Sequence, residues 1–105
     1  MRLAIRPDMT IEALKAIARK HPTKRIRDRT LRLTADADGL TIETNFSSAF
    51  VPAQVAVAGT CIVPAKQFAA LLKTFAPTRP LSMEHDVERG VRLGNLLIPP
   101  ALHLP

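Results

Sequence analysis

Two segments of the chain share the same length and the same pattern, LRLTADADGLTIETN at residues 31–45 and LSMEHDVERGVRLGN at residues 81–95. In each, apolar and polar residues alternate on both sides of a short polar turn, which predicts two strands joined as a hairpin. A direct alignment pairs Leu31 with Leu81, Leu33 with Met83, Asp36 with Asp86 and Asn45 with Asn95. If the alignment is shifted by one residue at the turn, Leu40 pairs with Val91. An internal repeat limits the fold more than any single element, because one unit must then pack against a second copy of itself.

A strand and a helix are predicted before each hairpin. In the first half, RLAIR (2–6) alternates, and apolar residues then recur at helical spacing until His21-Pro22 ends the helix. In the second half, β-branched residues run into Pro64, which suits the start of a helix. The apolar stripes of the two helices are Ile11, Leu14, Ile17 and Ala18, then Phe68, Leu71, Leu72 and Phe75. Each hairpin is followed by an apolar strand that ends at proline, FVP and LIPP.

These patterns predict an α+β fold in which a β-α-β-β-β unit is duplicated. One domain would cover residues 1–105, with repeat 1 at about 1–57 and repeat 2 at about 58–105. Each helix needs to bury its apolar side, so we expect the two helices to pack side by side on one face of an antiparallel sheet.

The outward faces of the two predicted helices are basic. Helix 1 would expose Glu12, Lys15 and Arg19, with Lys20 near the edge, and helix 2 would expose Lys66 and Lys73 with alanines between them. The connector after helix 1 could extend the basic surface. The candidate residues for binding DNA are therefore Lys15, Arg19, Lys20, Lys24, Arg25, Lys66 and Lys73. The alternative is that these charges only solvate the helix faces and the connector, as most charges on amphipathic helices do.

The charge balance agrees with a polyanionic partner, since 15 Lys and Arg face 9 Asp and Glu for a net charge of +6. With four Phe, no Trp and no Tyr, the chain is poor in the rings that stack unpaired bases. Contacts to the backbone of double-stranded DNA need only Lys and Arg. A domain that is basic without binding nucleic acid is the plainer interpretation of the same composition.

Other chemistries have little support. Cys61 is the only cysteine, which excludes an internal disulfide, favours the cytoplasm and predicts a core residue rather than a nucleophile. The three histidines have no metal-ligand spacing, and the four glycines form no phosphate-binding loop. No stretch reaches the roughly 20 apolar residues of a membrane span. MRLAIRPDMT at residues 1–10 has a charge inside its first apolar run, so we do not expect it to be a signal peptide. We predict a non-enzyme with no catalytic residue, metal or cofactor, and no membrane partner.

Two stretches resemble the DNA sliding clamp family, which includes the beta subunit of bacterial DNA polymerase III. The hairpin LRLTADADGLTIET is similar to the family's hairpin, and GTCIVPAKQFAALLKTF is similar to its strand that enters a helix through Val-Pro-Ala-Arg/Lys. The resemblance implies paired helices that line a ring around DNA, with sheets outside. It also implies that Lys15, Arg19, Lys66 and Lys73 would face the phosphates.

The resemblance bears on partners as well. A bacterial clamp chain strings three such domains together and closes as a dimer, whereas this chain has one, so a ring of six domains would need a homo-oligomer joined at strand edges. Replication or repair proteins are the expected protein partners. The alternative function is a protein-interaction module that keeps the clamp fold and binds such a partner without encircling DNA.

Overall fold

A computed structural model describes residues 1–20, 30–45 and 47–99, with only the backbone of Lys20. The two helices are α1 (Pro7–Lys20) and α2 (Ala65–Leu72). The strands are β1 (Arg2–Ile5), β2 (Thr30–Asp36), β3 (Gly39–Glu43), β4 (Ser48–Pro52), β5 (Gln54–Val57), β6 (Gly59–Pro64), β7 (Leu81–Asp86), β8 (Gly90–Leu93) and β9 (Leu96–Ile98). The α+β class is confirmed, and the predicted strands and helices are present in their predicted order, with one further strand, β5, between β4 and β6.

The strands form two antiparallel sheets, in the orders β5-β1-β7-β8-β9 and β4-β3-β2-β6. The prediction of one sheet was therefore wrong. The reason is that β1 pairs with β7 and β6 pairs with β2. Strands β2, β3 and β4 are therefore joined by β6, and strands β7, β8 and β9 are joined by β1. The helices follow these exchanged strands, and they tie the two sheets to one core.

The two exchanged strands are placed in the same way. Ile5 of β1 pairs with Leu81 at the start of β7, and Val63 of β6 pairs with Leu31 near the start of β2. Each helix begins two residues after these positions, α1 at Pro7 and α2 at Ala65. A constant offset of 58 residues therefore relates β1 and the start of α1 to β6 and the start of α2.

The core is aliphatic, as the composition predicts. The alternating residues of the first hairpin, Leu31, Leu33, Leu40 and Ile42, are fully buried. Phe68 on α2 is also fully buried, and removing such a side chain from water is worth roughly 1.5–3 kcal/mol. The two layers of strands thus share one apolar interior with the inner faces of the helices.

Both hairpin turns begin with an aspartate that bonds the turn's own backbone. Asp36 Oδ1 accepts from the N–H of Asp38 at 2.9 Å and from that of Gly39 at 3.3 Å. Asp86 Oδ1 accepts from the N–H of Glu88 at 2.8 Å, and this bond is the main reason that the pKa of Asp86 is lowered. The aspartates that align in the two halves are therefore turn residues.

The junction between β6 and α2 has no loop because Pro64 ends the strand and caps the helix. Its backbone is extended, with φ −65° and ψ 128°, and the helix starts at the next residue. The helix ends at Leu72, earlier than the stripe to Phe75 predicts, with Lys73 as its C-cap. Phe75 still reaches the core as a half-buried residue in the turn that follows.

Candidate nucleic-acid interface

The two helices contact each other, and each also packs on strands. Helix α1 packs on β4 and contacts α2, while α2 packs on β6 and β9. Their inner sides are held by Thr10 and Ile17 on α1 and by Ala65, Phe68 and Leu72 on α2, all buried. Each helix therefore has one face fixed in the core and an opposite face free to carry charge.

The exposed face of α2 is basic and has no acidic residue. Lys66, Gln67, Ala70 and Lys73 are exposed, and the first turn of the helix holds no Asp or Glu. Within the described residues, neither lysine forms an ion pair. Two cations separated by two helical turns are thus available on this face, with the small Ala70 between them.

The exposed face of α1 is mixed. Glu12, Lys15 and Arg19 are exposed and follow one another at spacings of three and four residues, which places them along one stripe. The ammonium Nζ of Lys15 lies 3.5 Å from Glu12 Oε1, with the two side chains 60% and 66% exposed. Arg19 forms no ion pair among the described residues. One of the two cations on this stripe therefore already has an anionic neighbour.

A second ion pair stands at the start of α1. Arg6 Nη2 donates to Asp8 Oδ2 at 2.6 Å, and Arg6 Nε donates to Asp8 Oδ1 at 3.1 Å. The guanidinium is the main cause of the lowered pKa of the Asp8 carboxyl. The Asp8 N–H donates to Pro77 O at 3.0 Å, so this end of α1 is tied to the segment that follows α2. No helical pattern in the sequence indicates this ion pair.

The structure brings four of the seven candidate residues onto the two adjacent helices or their ends, namely Lys15, Arg19, Lys66 and Lys73. Lys20 is the last residue of α1, and the structure describes only its backbone. Lys24 and Arg25 lie outside the described residues. DNA contact by any of the seven stays a prediction.

Other chemical groups are accounted for by the fold. Cys61 is buried in β6, and burial raises the pKa of its thiol to about 11. Within the described ranges, no three His, Cys, Asp or Glu side chains are grouped so as to hold a metal ion. No helix in the part that the structure describes has the length and apolarity to cross a membrane.

Comparison with solved structures identifies the arrangement. The DNA polymerase sliding clamp of Bacillus subtilis matches with a TM-score of 0.68 and 18% identity, over 100% of this chain and 33% of that chain. Caulobacter crescentus pol III beta matches with a TM-score of 0.67 and 22% identity, over 97% of this chain and 30% of that chain. A DNA polymerase sliding clamp structure from the same bacterium gives 0.66 and 20%, over 97% and 30%. No protein-family model matches the chain, and no curated protein matches it.

The architecture is that of an α+β domain with two adjacent helices against two antiparallel sheets. More particularly, the chain has the fold of a sliding-clamp domain, as the resemblance in its sequence predicted. It spans about a third of the length of the clamps it matches.

Proposed function

We propose that this protein is a non-enzymatic, DNA-associated domain that contacts the backbone of double-stranded DNA through its two helices, without reading sequence. The observation that carries the proposal is that α1 and α2 contact each other while Lys15, Arg19, Lys66 and Lys73 are exposed on them or at their ends. We expect these four cations to share one side of the molecule. Lys20, Lys24 and Arg25 would extend this basic surface.

Backbone contact suits the chemistry of these faces better than contact with bases. The exposed positions of the helices carry no aromatic ring, and Met9 is their one large exposed apolar residue in the described part. Lysine and arginine neutralise phosphates and release counterions, which makes binding salt-dependent and nearly independent of sequence. Small residues between the cations, such as Ala70, leave room for a wide polyanion to approach.

The proposal is tested with a variant in which Lys15, Arg19, Lys66 and Lys73 become Gln, measured by fluorescence anisotropy on a labelled duplex of mixed sequence. A matched control replaces four basic residues of the sheets and turns, Arg2, Arg32, Arg89 and Arg92, and so has the same net charge. We expect the helix variant to lose most of its affinity and the control to keep it. Equal losses in the two variants, or binding that does not weaken between about 50 and 200 mM salt, would contradict the proposal.

We also propose that the chain self-associates at its strand edges. The outer strands of the two sheets are β4, β6, β5 and β9, and edge strands offer unpaired N–H and C=O groups to another chain. Phe50 on β4 and Leu97 on β9 are 51% and 53% exposed. The native mass, measured by light scattering on a sizing column, tests this proposal. A ring of six domains requires a hexamer, and a monomer would exclude a ring that encircles DNA.

The duplication of a β-α-β-β-β unit, with boundaries near residues 57 and 58, remains part of this proposal. It is supported by the equivalent pairing of β1 with β7 and of β6 with β2, and by the offset of 58 residues between the starts of α1 and α2. Strand β5 is an addition that follows the first three-strand run.

A second candidate function is a protein-interaction module with the same fold, which binds a replication or repair protein and does not encircle DNA. The exposed apolar residues outside the helices favour it, above all Val87, which is 84% exposed, and Ile62, which is 54% exposed. The same helix variant separates the two functions, because a module of this kind would keep its partner when the helix charges are removed.

A further inference from the structure

We infer that Glu12 limits the affinity of the proposed helix surface for DNA, by competing with phosphate for Lys15 and by repelling the phosphates nearby. The inference rests on the proposed function. It is carried by the Lys15–Glu12 contact at 3.5 Å and by the position of both side chains on the exposed stripe of α1.

The second helix provides an internal comparison. The offset of 58 residues, set by the starts of α1 and α2, makes Lys73 the counterpart of Lys15 and Ala70 the counterpart of Glu12. Lys73 is exposed like Lys15 but forms no ion pair among the described residues. A lysine is therefore exposed at the same position in both halves. Lys15 has a carboxylate three residues before it, and Lys73 has the methyl group of Ala70 there.

The other acidic residue of α1 does not play this part. Asp8 is the counterpart of Lys66, and its two carboxylate oxygens are bonded by the guanidinium of Arg6. Its charge is thus neutralised within the molecule. Glu12 has Lys15 as its only ion-pair partner within the described residues, so its charge offsets one of the cations that would meet the duplex.

The expected effect follows from counterion release. A phosphate that approaches Lys15 must displace the Glu12 carboxylate before it gains the full contact, so this lysine contributes less than one phosphate contact to the salt dependence. Replacing Glu12 with Gln frees the lysine and removes the repulsion. The slope of log K against log salt should then steepen by up to about 0.9, the value for one phosphate.

The experiment measures duplex binding over a series of salt concentrations for Glu12→Gln, Lys15→Gln and the double variant, with the same labelled duplex. Glu88→Gln is the matched control, since it removes the same charge from an exposed residue in the β7–β8 turn. Circular dichroism establishes that each variant is folded. We expect Glu12→Gln to bind several-fold more tightly, Glu88→Gln to change little, and Lys15→Gln to cost more affinity when Glu12 is already Gln.

Three results would overturn the inference, and they differ in what else they imply. If Lys66→Gln and Lys73→Gln weaken binding while Glu12→Gln leaves it unchanged, Glu12 has no part in the interface and the proposed function stands. If none of the helix variants alters binding, the proposed function fails and the inference fails with it. Equal tightening by Glu12→Gln and Glu88→Gln would reduce the effect to net charge and would also overturn it.

Discussion

Helices α1 and α2 occupy matching places in the two halves of the molecule, yet they differ in what they bury and in what they expose. At matching positions α1 buries Thr10 where α2 buries Phe68, and α1 exposes Glu12 where α2 exposes Ala70. The 14-residue α1 has Asp8 paired with Arg6 and Lys15 paired with Glu12, and it leaves Arg19 without an ion pair among the described residues. At the eight-residue α2, neither Lys66 nor Lys73 has an ion-pair partner within the described residues. The comparison indicates that α2 buries the larger side chain at this matching position, and that both of its lysines lack an ion-pair partner within the described residues.

The largest expected effect concerns the buried side. Phe68→Ala should lower the free energy of unfolding by about 3–5 kcal/mol, because it leaves a cavity in the shared core. Thr10→Ala removes a smaller group, a buried methyl and the hydroxyl whose Oγ1 donates to Arg6 O at 2.8 Å, and should cost about 2 kcal/mol. Denaturant unfolding of both variants measures the difference. Similar losses of unfolding free energy in the two variants would show that Phe68 and Thr10 contribute equally to stability.

The next effect concerns the exposed side. Replacing Lys66 and Lys73 with Gln removes the same charge as replacing Lys15 and Arg19. We expect the α2 variant to lose about tenfold in affinity for a duplex, and the α1 variant to lose less, because Lys15 already faces Glu12. Anisotropy titrations at one fixed salt concentration compare the two. A larger loss in the α1 variant would reverse the ranking of the helices.

The smallest effect is the pH dependence of the Arg6–Asp8 pair. The pKa of Asp8 is lowered in the folded state, so the pair stabilises the fold above the carboxyl's unfolded pKa, about 3.9. That contribution is lost as the pH falls through the lower, folded value. Asp8→Asn should therefore melt slightly lower than the parent protein at neutral pH, with the gap closing in acid.

The control for this pH series is Lys66→Gln, at the matching position of α2. Its melting temperature should track that of the parent protein at every acidic pH, since no carboxylate is involved. A gap between Asp8→Asn and the parent that stays constant from neutral to acidic pH would assign the effect of Asp8 to its uncharged contacts.

Much of the local structure could be predicted from the sequence. The alternation in residues 31–35 and 40–44 predicts two strands, and the structure forms them as β2 and β3 with the predicted side buried. Asp36 and Asp86 mark turns because a short carboxylate can bond the backbone two residues on. The charged positions of the helices follow from the apolar stripes, since the side opposite a buried stripe must be the exposed one.

The structure was needed to show which charges are paired. Glu12 and Lys15 are adjacent on any helix, but whether they meet depends on rotamers that the sequence does not state. The Arg6–Asp8 pair crosses the junction of β1 and α1, where no periodic pattern operates. The charge available for a polyanion is therefore smaller on α1 than the sequence suggests.

By itself, the sequence determined the order of the strands and helices other than β5, their buried sides and the hairpin turns, because these depend on neighbours a few residues away. Only the tertiary structure decided that β1 joins β7 and β6 joins β2, which splits the strands into two sheets. The pairing of β1 with β7 brings Arg2 opposite Glu84, which is far from it in the sequence. Pairing between such distant segments depends on burial of the whole core, and no local pattern of residues specifies it.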